Sequence, residues 1–283
     1  MVIFKQAADI RAYLLSIRQQ GTKVGFVPTM GALHRGHVSL LEESRKKGDF
    51  TVVSIFVNPT QFNDKSDFDN YPSTLDEDKS LLLDAGCDVL FIPSVQEVYP
   101  NGEQDTPVYD FGYMDTILEG AYRPGHFKGV GQVVARLLEI VQPDKLYVGQ
   151  KDYQQCMVIK SLAKQIPALN SLQIEICPTM REPDGLAMSS RNRRLTEPQR
   201  AVANLLYQCL VSIQAKAGTQ DFSVVQKECL DILKDKGFEP DYVELADAAD
   251  LTLLENYDMN RRMVTLIAAK TGDVRLIDNM LVN

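Results

Sequence analysis

Five short runs rich in β-branched and aromatic residues, at 24–27, 51–57, 88–93, 145–148 and 172–176, alternate with stretches whose apolar residues recur at helical spacing. A strand that is apolar along its whole length has both faces buried, the pattern of parallel strands covered by helices. Parallel neighbours need crossover connections, and a right-handed strand-helix-strand unit supplies them. The alternation therefore predicts an α/β fold with a parallel sheet and right-handed crossovers. Helices are expected over 7–19, with Ile10, Leu14, Leu15 and Ile17 on the apolar side, from residue 38 onward, and over 75–83, 129–141 and 153–165. The region 94–128 is rich in proline and glycine and reads as mostly loop, and much of the acidic stretch 64–78 reads as solvated surface.

Beyond residue 177 the order changes. Helical segments at about 197–217 and 222–236 precede extended runs at 242–245, 263–269 and 274–278. The last two runs flank Lys270-Thr271-Gly272-Asp273, which reads as a hairpin turn. This predicts a second, smaller α+β C-terminal domain with an antiparallel sheet. The expected division is a domain at 1–176 and a lid domain at 177–283. With 283 residues the chain is long enough for both.

A net charge of −8 argues against a general nucleic-acid or membrane surface. No apolar run approaches the length of a membrane span. Met1-Val2-Ile3-Phe4-Lys5 opens no basic and then apolar leader, so no signal peptide is expected. Five cysteines, at 87, 156, 177, 209 and 229, include no Cys-x-x-Cys and read as reduced, packed thiols of a cytoplasmic protein.

Chemistry concentrates where strands end. The first run leads into Pro28-Thr29-Met30-Gly31-Ala32-Leu33-His34-Arg35-Gly36-His37, just before a helix. Backbone N–H groups at a helix start lack partners, and the helix dipole adds positive potential, so the junction suits phosphate. Gly31 and Gly36 let the backbone approach a ligand. His34 and His37, three apart, face the same way and can donate hydrogen bonds to a triphosphate. The plainer readings are a metal site or a capped turn. Zinc would need further ligands, and His126 is the one other histidine.

The second run ends in Asn58-Pro59-Thr60-Gln61-Phe62. Asn58 and Gln61 are candidates for gripping a substrate, or equally for satisfying the turn backbone. The fourth run leads into Gly149-Gln150-Lys151-Asp152-Tyr153-Gln154-Gln155, where Lys151 suits a phosphate and Asp152 a ribose hydroxyl. Alone, Lys151 also reads as a solvated surface residue. The polar stretch 178–194 carries four arginines and includes Met188-Ser189-Ser190-Arg191-Asn192. Its hydroxyls and guanidinium can clamp a triphosphate, although a solvated basic loop is the simpler reading of that segment by itself.

His34-Arg35-Gly36-His37 resembles the HxGH signature of the Rossmann-like nucleotidylyltransferase superfamily, which implies a Rossmann-like sheet, and Met188-Ser189-Ser190-Arg191-Asn192 resembles its second, KMSKS-type loop. Together with the Asn58 and Lys151 motifs they resemble the pantothenate synthetase (pantoate–β-alanine ligase) family over essentially the whole chain. Thr60 and Gln150 depart from the methionine and glutamate common there. The resemblance implies ATP-dependent condensation of (R)-pantoate with β-alanine through a pantoyl adenylate, releasing AMP and pyrophosphate. It implies that His34, His37, Lys151, Ser189, Ser190 and Arg191 serve the phosphates, with His37 also donating a proton. Met30, Gly31, Ala32, Leu33, Arg35, Gly36, Gly149, Gln150, Asp152, Met180 and Met188 complete the implied ATP site, with Gly149 and Asp152 at ribose and Met180 near adenine. Gln61 and Gln155 would hold pantoate in a pocket shaped by Pro28 and Met30, and Gln61 would also meet β-alanine. Mg2+ is implied with the phosphates, with Asp78 a candidate ligand, and the family implies a homodimer.

Two rival readings share these motifs. One is a nucleotidylyltransferase acting on a phosphate acceptor, against which the paired amide side chains speak. The other is a nonenzymatic nucleotide sensor, against which the intact His34, His37 and Lys151 speak.

Overall fold

The buried apolar runs become neighbouring strands in a computed structural model that describes residues 1–61 and 74–282. The strands are β1 (Val2–Phe4), β2 (Val24–Thr29), β3 (Phe50–Ile55), β4 (Val89–Phe91), β5 (Lys145–Gly149) and β6 (Gln173–Cys177). They form one sheet in the order β1-β4-β3-β2-β5-β6, and every pair is parallel. The expected Rossmann-like sheet is therefore present, with β1 added at its edge. Three residues are too few to show a pattern, and Val2 and Ile3 are more than 40% exposed.

Chain order reverses between β2 and β5. From β2 the sheet proceeds to β3 and β4 on one side, and to β5 and β6 on the other. Ligands bind outside the carboxyl ends of strands at such a switch point. The histidine turn follows β2 and Gly149 ends β5, so both sit at that edge. Beneath them Val27, Leu33, Leu41, Val53, Leu90 and Tyr147 belong to one buried cluster.

The helix Ala7–Gln19 buries Ile10 and Leu14, but Leu15 is 56% exposed. It is one position, about 100° of rotation, past the buried stripe. The region 94–128 is less irregular than expected. It contains short helices at Val95–Val98 and Leu118–Tyr122, and the long helix begins at His126 instead of Gly129 and runs to Val141. Gly125, at φ 79, turns the chain into that helix. The part of the acidic stretch from 64 to 73 lies outside the described residues.

The remaining strands, β7 (Glu239–Asp247), β8 (Leu253–Leu254), β9 (Met263–Thr271) and β10 (Val274–Leu281), form an antiparallel sheet in the order β10-β9-β7-β8. The β9–β10 hairpin is tighter than the sequence suggests. Thr271 pairs with Val274, leaving a two-residue turn. The helical stretch 197–217 is two helices, Glu197–Val202 and Leu205–Lys216. An i to i−3 bond from Ala203 N–H to Arg200 O closes the first. Leu206, Leu210, Phe222, Val225, Val243 and Ile267 share the core between these helices and the sheet.

Met1–Gly149 with Val158–Cys177 make one compact unit, and Gln150–Met157 with Pro178–Asn283 make the other. Among the described residues no helix is long and apolar enough to cross a membrane.

Candidate active site

The histidine turn is a strained backbone held by one carboxylate. Gly31 at φ 84 and Ala32 at φ 49 are both left-handed, a conformation that costs a residue with a Cβ roughly 1–2 kcal/mol. Asp78, on the helix Leu75–Asp84, offsets the cost. Its Oδ2 accepts Ala32 N–H at 2.9 Å and its Oδ1 accepts Leu33 N–H at 2.7 Å. Thr74 Oγ1 donates to the same Oδ1 at 3.1 Å, and Asp78 is 2% exposed. Three hydrogen bonds in a buried setting commit this carboxylate to the turn. Both oxygens of this candidate magnesium ligand thus already serve the turn.

His34 is the N-cap of the helix Arg35–Lys46. Its Nδ1 accepts Gly36 N–H at 3.1 Å, while His37 Nδ1 accepts His34 N–H at 3.3 Å. The two imidazoles thus form a reciprocal capping box, a task usually done by hydroxyls and carboxylates. An Nδ1 that accepts carries no proton, so each neutral ring is protonated at Nε2. The rings lie 4.1 Å apart between centroids. The capping role uses one nitrogen of each ring, Nδ1. The first helical turn carries no acidic residue. Arg35 is exposed and pairs with Glu42 at 3.2 Å, which leaves its backbone as the part aimed along the helix start.

Asn58 and Gln61 divide the two roles the sequence left open. Asn58 is 1% exposed. Its Oδ1 accepts from the Tyr99 hydroxyl at 2.9 Å and from Thr60 Oγ1 at 3.2 Å, and its Nδ2 donates to Gly129 O at 3.3 Å. It builds the turn. Gln61 is only half-buried. Its Oε1 accepts from Asn58 at 3.2 Å, and its Nε2 lies 3.0 Å from Met30 Sδ. A thioether is a weak acceptor, so that amide group has much to gain from a carboxylate or hydroxyl. The backbone of Gln61 is fixed by His126. Arg123 Nη1 lies 3.1 Å from His126 Nε2, which must accept, so Nδ1 carries the proton it donates to Gln61 O at 2.9 Å. Gly129 permits the approach, because a Cβ there would meet Thr60 O at 2.4 Å.

In the C-terminal unit a 3-10 turn, Gln150–Asp152, carries Lys151. Its ammonium is 3.6 Å from Asp152, and its side chain is 19% exposed. Gln154 is buried, whereas Gln155 is half-buried. The stretch expected to be a polar loop is a small hairpin. Met188 N–H bonds to Met180 O at 2.9 Å and Glu182 N–H to Leu186 O at 2.8 Å. Arg181 anchors it through a bidentate pair with Asp278, at 2.6 and 3.0 Å, and lies over the Tyr207 ring at 4.5 Å. Met180 is exposed. Ser189 caps a 3-10 turn, Ser190–Arg194, accepting Arg191 N–H at 3.3 Å.

Sequence reasoning missed the roles of Asp78, Tyr99 and Asn279. Asn279 donates to the carbonyls of Gln150 and Lys151. None of the three lies near its partner in sequence, so no local spacing marks it.

A parallel sheet with an HxGH turn at its switch point defines an HxGH-type nucleotide-binding α/β protein. The family model described as Pantoate-beta-alanine ligase matches residues 2–281. The chain is 44% identical to the pantothenate synthetase of Bacteroides thetaiotaomicron, covering 99% of this chain and 98% of that one. It superposes on the pantothenate synthetase of Thermus thermophilus with a TM-score of 0.90 at 38% identity, covering 100% of this chain and 99% of that one. It is also similar to the Francisella tularensis pantoate-β-alanine ligase complexed with β-γ ATP and β-alanine, with a TM-score of 0.82 at 37% identity and 100% and 98% coverage. The chain belongs to the pantoate–β-alanine ligase family, and it is a ligase.

Proposed function

We propose that this chain joins pantoate to β-alanine at the expense of ATP, in two steps. A carboxylate oxygen of pantoate attacks the α-phosphorus, and pyrophosphate leaves. The amine of β-alanine then attacks the acyl carbon of pantoyl adenylate, AMP departs with the electron pair of the broken C–O bond, and the amine loses a proton. Adenylation is needed because a free carboxylate has no good leaving group.

The observation that carries this reading is the histidine pair. Two imidazoles locked with Nε2–H donors stand at a helix N-terminus on the switch-point edge of the sheet. Preorganised donors of this kind stabilise charge that builds on phosphate oxygens. Lys151, Ser189, Ser190 and Arg191 serve the same phosphates. Gly149 and Asp152 hold ribose, and Met180 lies near adenine. Gln61 and Gln155 hold pantoate, with Pro28 and Met30 shaping its pocket. Magnesium enters as part of the MgATP substrate, held by phosphate oxygens and water. Among the described residues no three His, Cys, Asp or Glu side chains gather to hold a metal by themselves.

The parallel-sheet unit carries the histidine turn and Gln61, and the C-terminal unit, Gln150–Met157 with Pro178–Asn283, carries Lys151, Gln155 and the serine-arginine segment. The protein works as a homodimer in the cytoplasm. Labelled pyrophosphate should exchange into ATP with pantoate present and β-alanine absent. Exchange that requires β-alanine would rule out a free-standing adenylate.

A further inference from the structure

Near the end of β10, Asp278 and Asn279 are buried, at 4% and 2% exposure. Asn279 uses its whole carboxamide on one turn. Nδ2 donates to Gln150 O and Lys151 O, both at 2.8 Å, and Oδ1 accepts from Gln150 Nε2 at 3.3 Å. Both N–H bonds of the amide are spent on the two carbonyls that set the path of the chain at Lys151. A buried amide satisfied in this way has one orientation and holds its partners to one geometry.

The neighbouring residue reaches the other phosphate-handling segment of this unit. Asp278 takes the bidentate grip of Arg181, which also donates to Gly185 O at 3.0 Å within the hairpin leading to Ser189. Asn279 N–H donates to Asp278 Oδ1 at 2.8 Å. The two side chains thus alternate across the strand, one fixing the lysine turn and one fixing the base of the serine-arginine segment.

We propose that Asn279 is a positioning residue for Lys151, holding the ammonium where charge develops on the phosphates. This rests on the reading of Lys151 as a phosphate ligand. Asn279 touches no substrate. Its loss lets the 3-10 turn relax and shifts the ammonium.

The test is a double-mutant cycle on the full-length enzyme, with MgATP, pantoate and β-alanine as substrates. Asn279→Ala should lower kcat by roughly 10²-fold, the scale of displacing a reacting group by about 1 Å, and leave the KM for pantoate near its wild-type value. Lys151→Ala should also lower kcat by about 10²-fold or more. Placed in the Lys151→Ala background, Asn279→Ala should cost less than about twofold further, because the group it positions is gone. Full additivity, or an unchanged kcat in the single variant, overturns the proposal. A Lys151→Ala enzyme with near-normal turnover instead refutes the role given to the lysine itself. If Asn279→Ala does not fold, Asn279→Ser carries the test with the same cycle, since its single hydroxyl, one bond shorter than the amide, cannot bridge both carbonyls. Failure of both to fold assigns Asn279 to the fold alone and overturns the proposal as well.

Discussion

The carboxylate of Asp78 holds Ala32 in a left-handed conformation, its Oδ2 2.9 Å from the Ala32 nitrogen. The strained residue lies two positions before His34, so the aim of the imidazole pair depends on an aspartate 46 residues further along the chain.

Asp78→Ala should therefore lower both stability and kcat. It leaves two buried N–H groups without partners, at about 1–3 kcal/mol each, and frees Ala32 to leave its strained conformation. Urea unfolding should show a loss of about 3 kcal/mol. Turnover should not recover as magnesium is raised, whereas recovery would favour the metal-ligand reading.

Gln61→Ala separates the substrates. Among the described residues the Gln61 amide nitrogen lies against the weak acceptor Met30 Sδ at 3.0 Å, so a ligand oxygen should be its better partner. Losing that bond should raise the KM for pantoate by roughly 5- to 150-fold, the equivalent of about 1–3 kcal/mol, and change the KM for ATP far less. Equal losses for both would place Gln61 with Asn58 as a builder of the turn.

The legibility of these features in the sequence follows the range of the interactions that make them. The strands are legible because burial on both faces demands an unbroken apolar run. The two-sheet architecture follows from the change of pattern after residue 177. Edge strands such as β1 and β8 bury little and leave no such run. The histidine turn is legible because its glycines and imidazoles are adjacent. Its anchor is not, because any carboxylate at any distance in sequence can fill that role. Asn279 and Lys151 are likewise 128 positions apart. Asn58 and Gln61 share one motif, yet the hydroxyl of Tyr99 and the carbonyl of Gly129 decide which of them is interior.

The cysteines give a pH dependence. All five are buried. Burial pushes the Cys87 thiol up to about 12 and the Cys177 thiol up to about 11, from 9.0. At pH 8 their thiolate fractions fall to about 10⁻⁴ and 10⁻³, so alkylation should be slow until the protein unfolds. A thiol whose native pKa is raised costs nothing below the unfolded value. As pH climbs from 9 toward 12 for Cys87, the unfolded chain releases its proton while the native one keeps it, and stability falls by up to about 1.4 kcal/mol per pH unit. Between about pH 9 and 10.5 the stability of Cys87→Ala should decline less steeply than that of the wild type. Equal slopes, or rapid native labelling of Cys87 at about pH 8, would contradict the burial argument.

The serine-arginine segment gives the last prediction. Arg191, Arg193 and Arg194 lie in the 3-10 turn Ser190–Arg194, with Arg193 and Arg194 exposed. Trypsin needs an extended backbone, so cleavage there requires this turn to open locally. Short turns with few buried contacts open at low cost, and the free protein should be nicked at this segment. If Ser189, Ser190 and Arg191 hold the phosphates, MgATP binds the closed turn and not the opened one. The opening then costs more by about 2.7 kcal/mol at a ligand concentration of about 100 Kd, a slowing of roughly 10²-fold where opening is fast relative to cleavage. Mass spectrometry of limited digests, with and without MgATP and pantoate, measures this at each arginine. Arg261, exposed and remote in sequence from the segment, serves as the internal control and should be cut at the same rate in both digests. Protection confined to 191–194 is the expected result. Cleavage unaffected by saturating ligand means that the segment does not clamp the nucleotide.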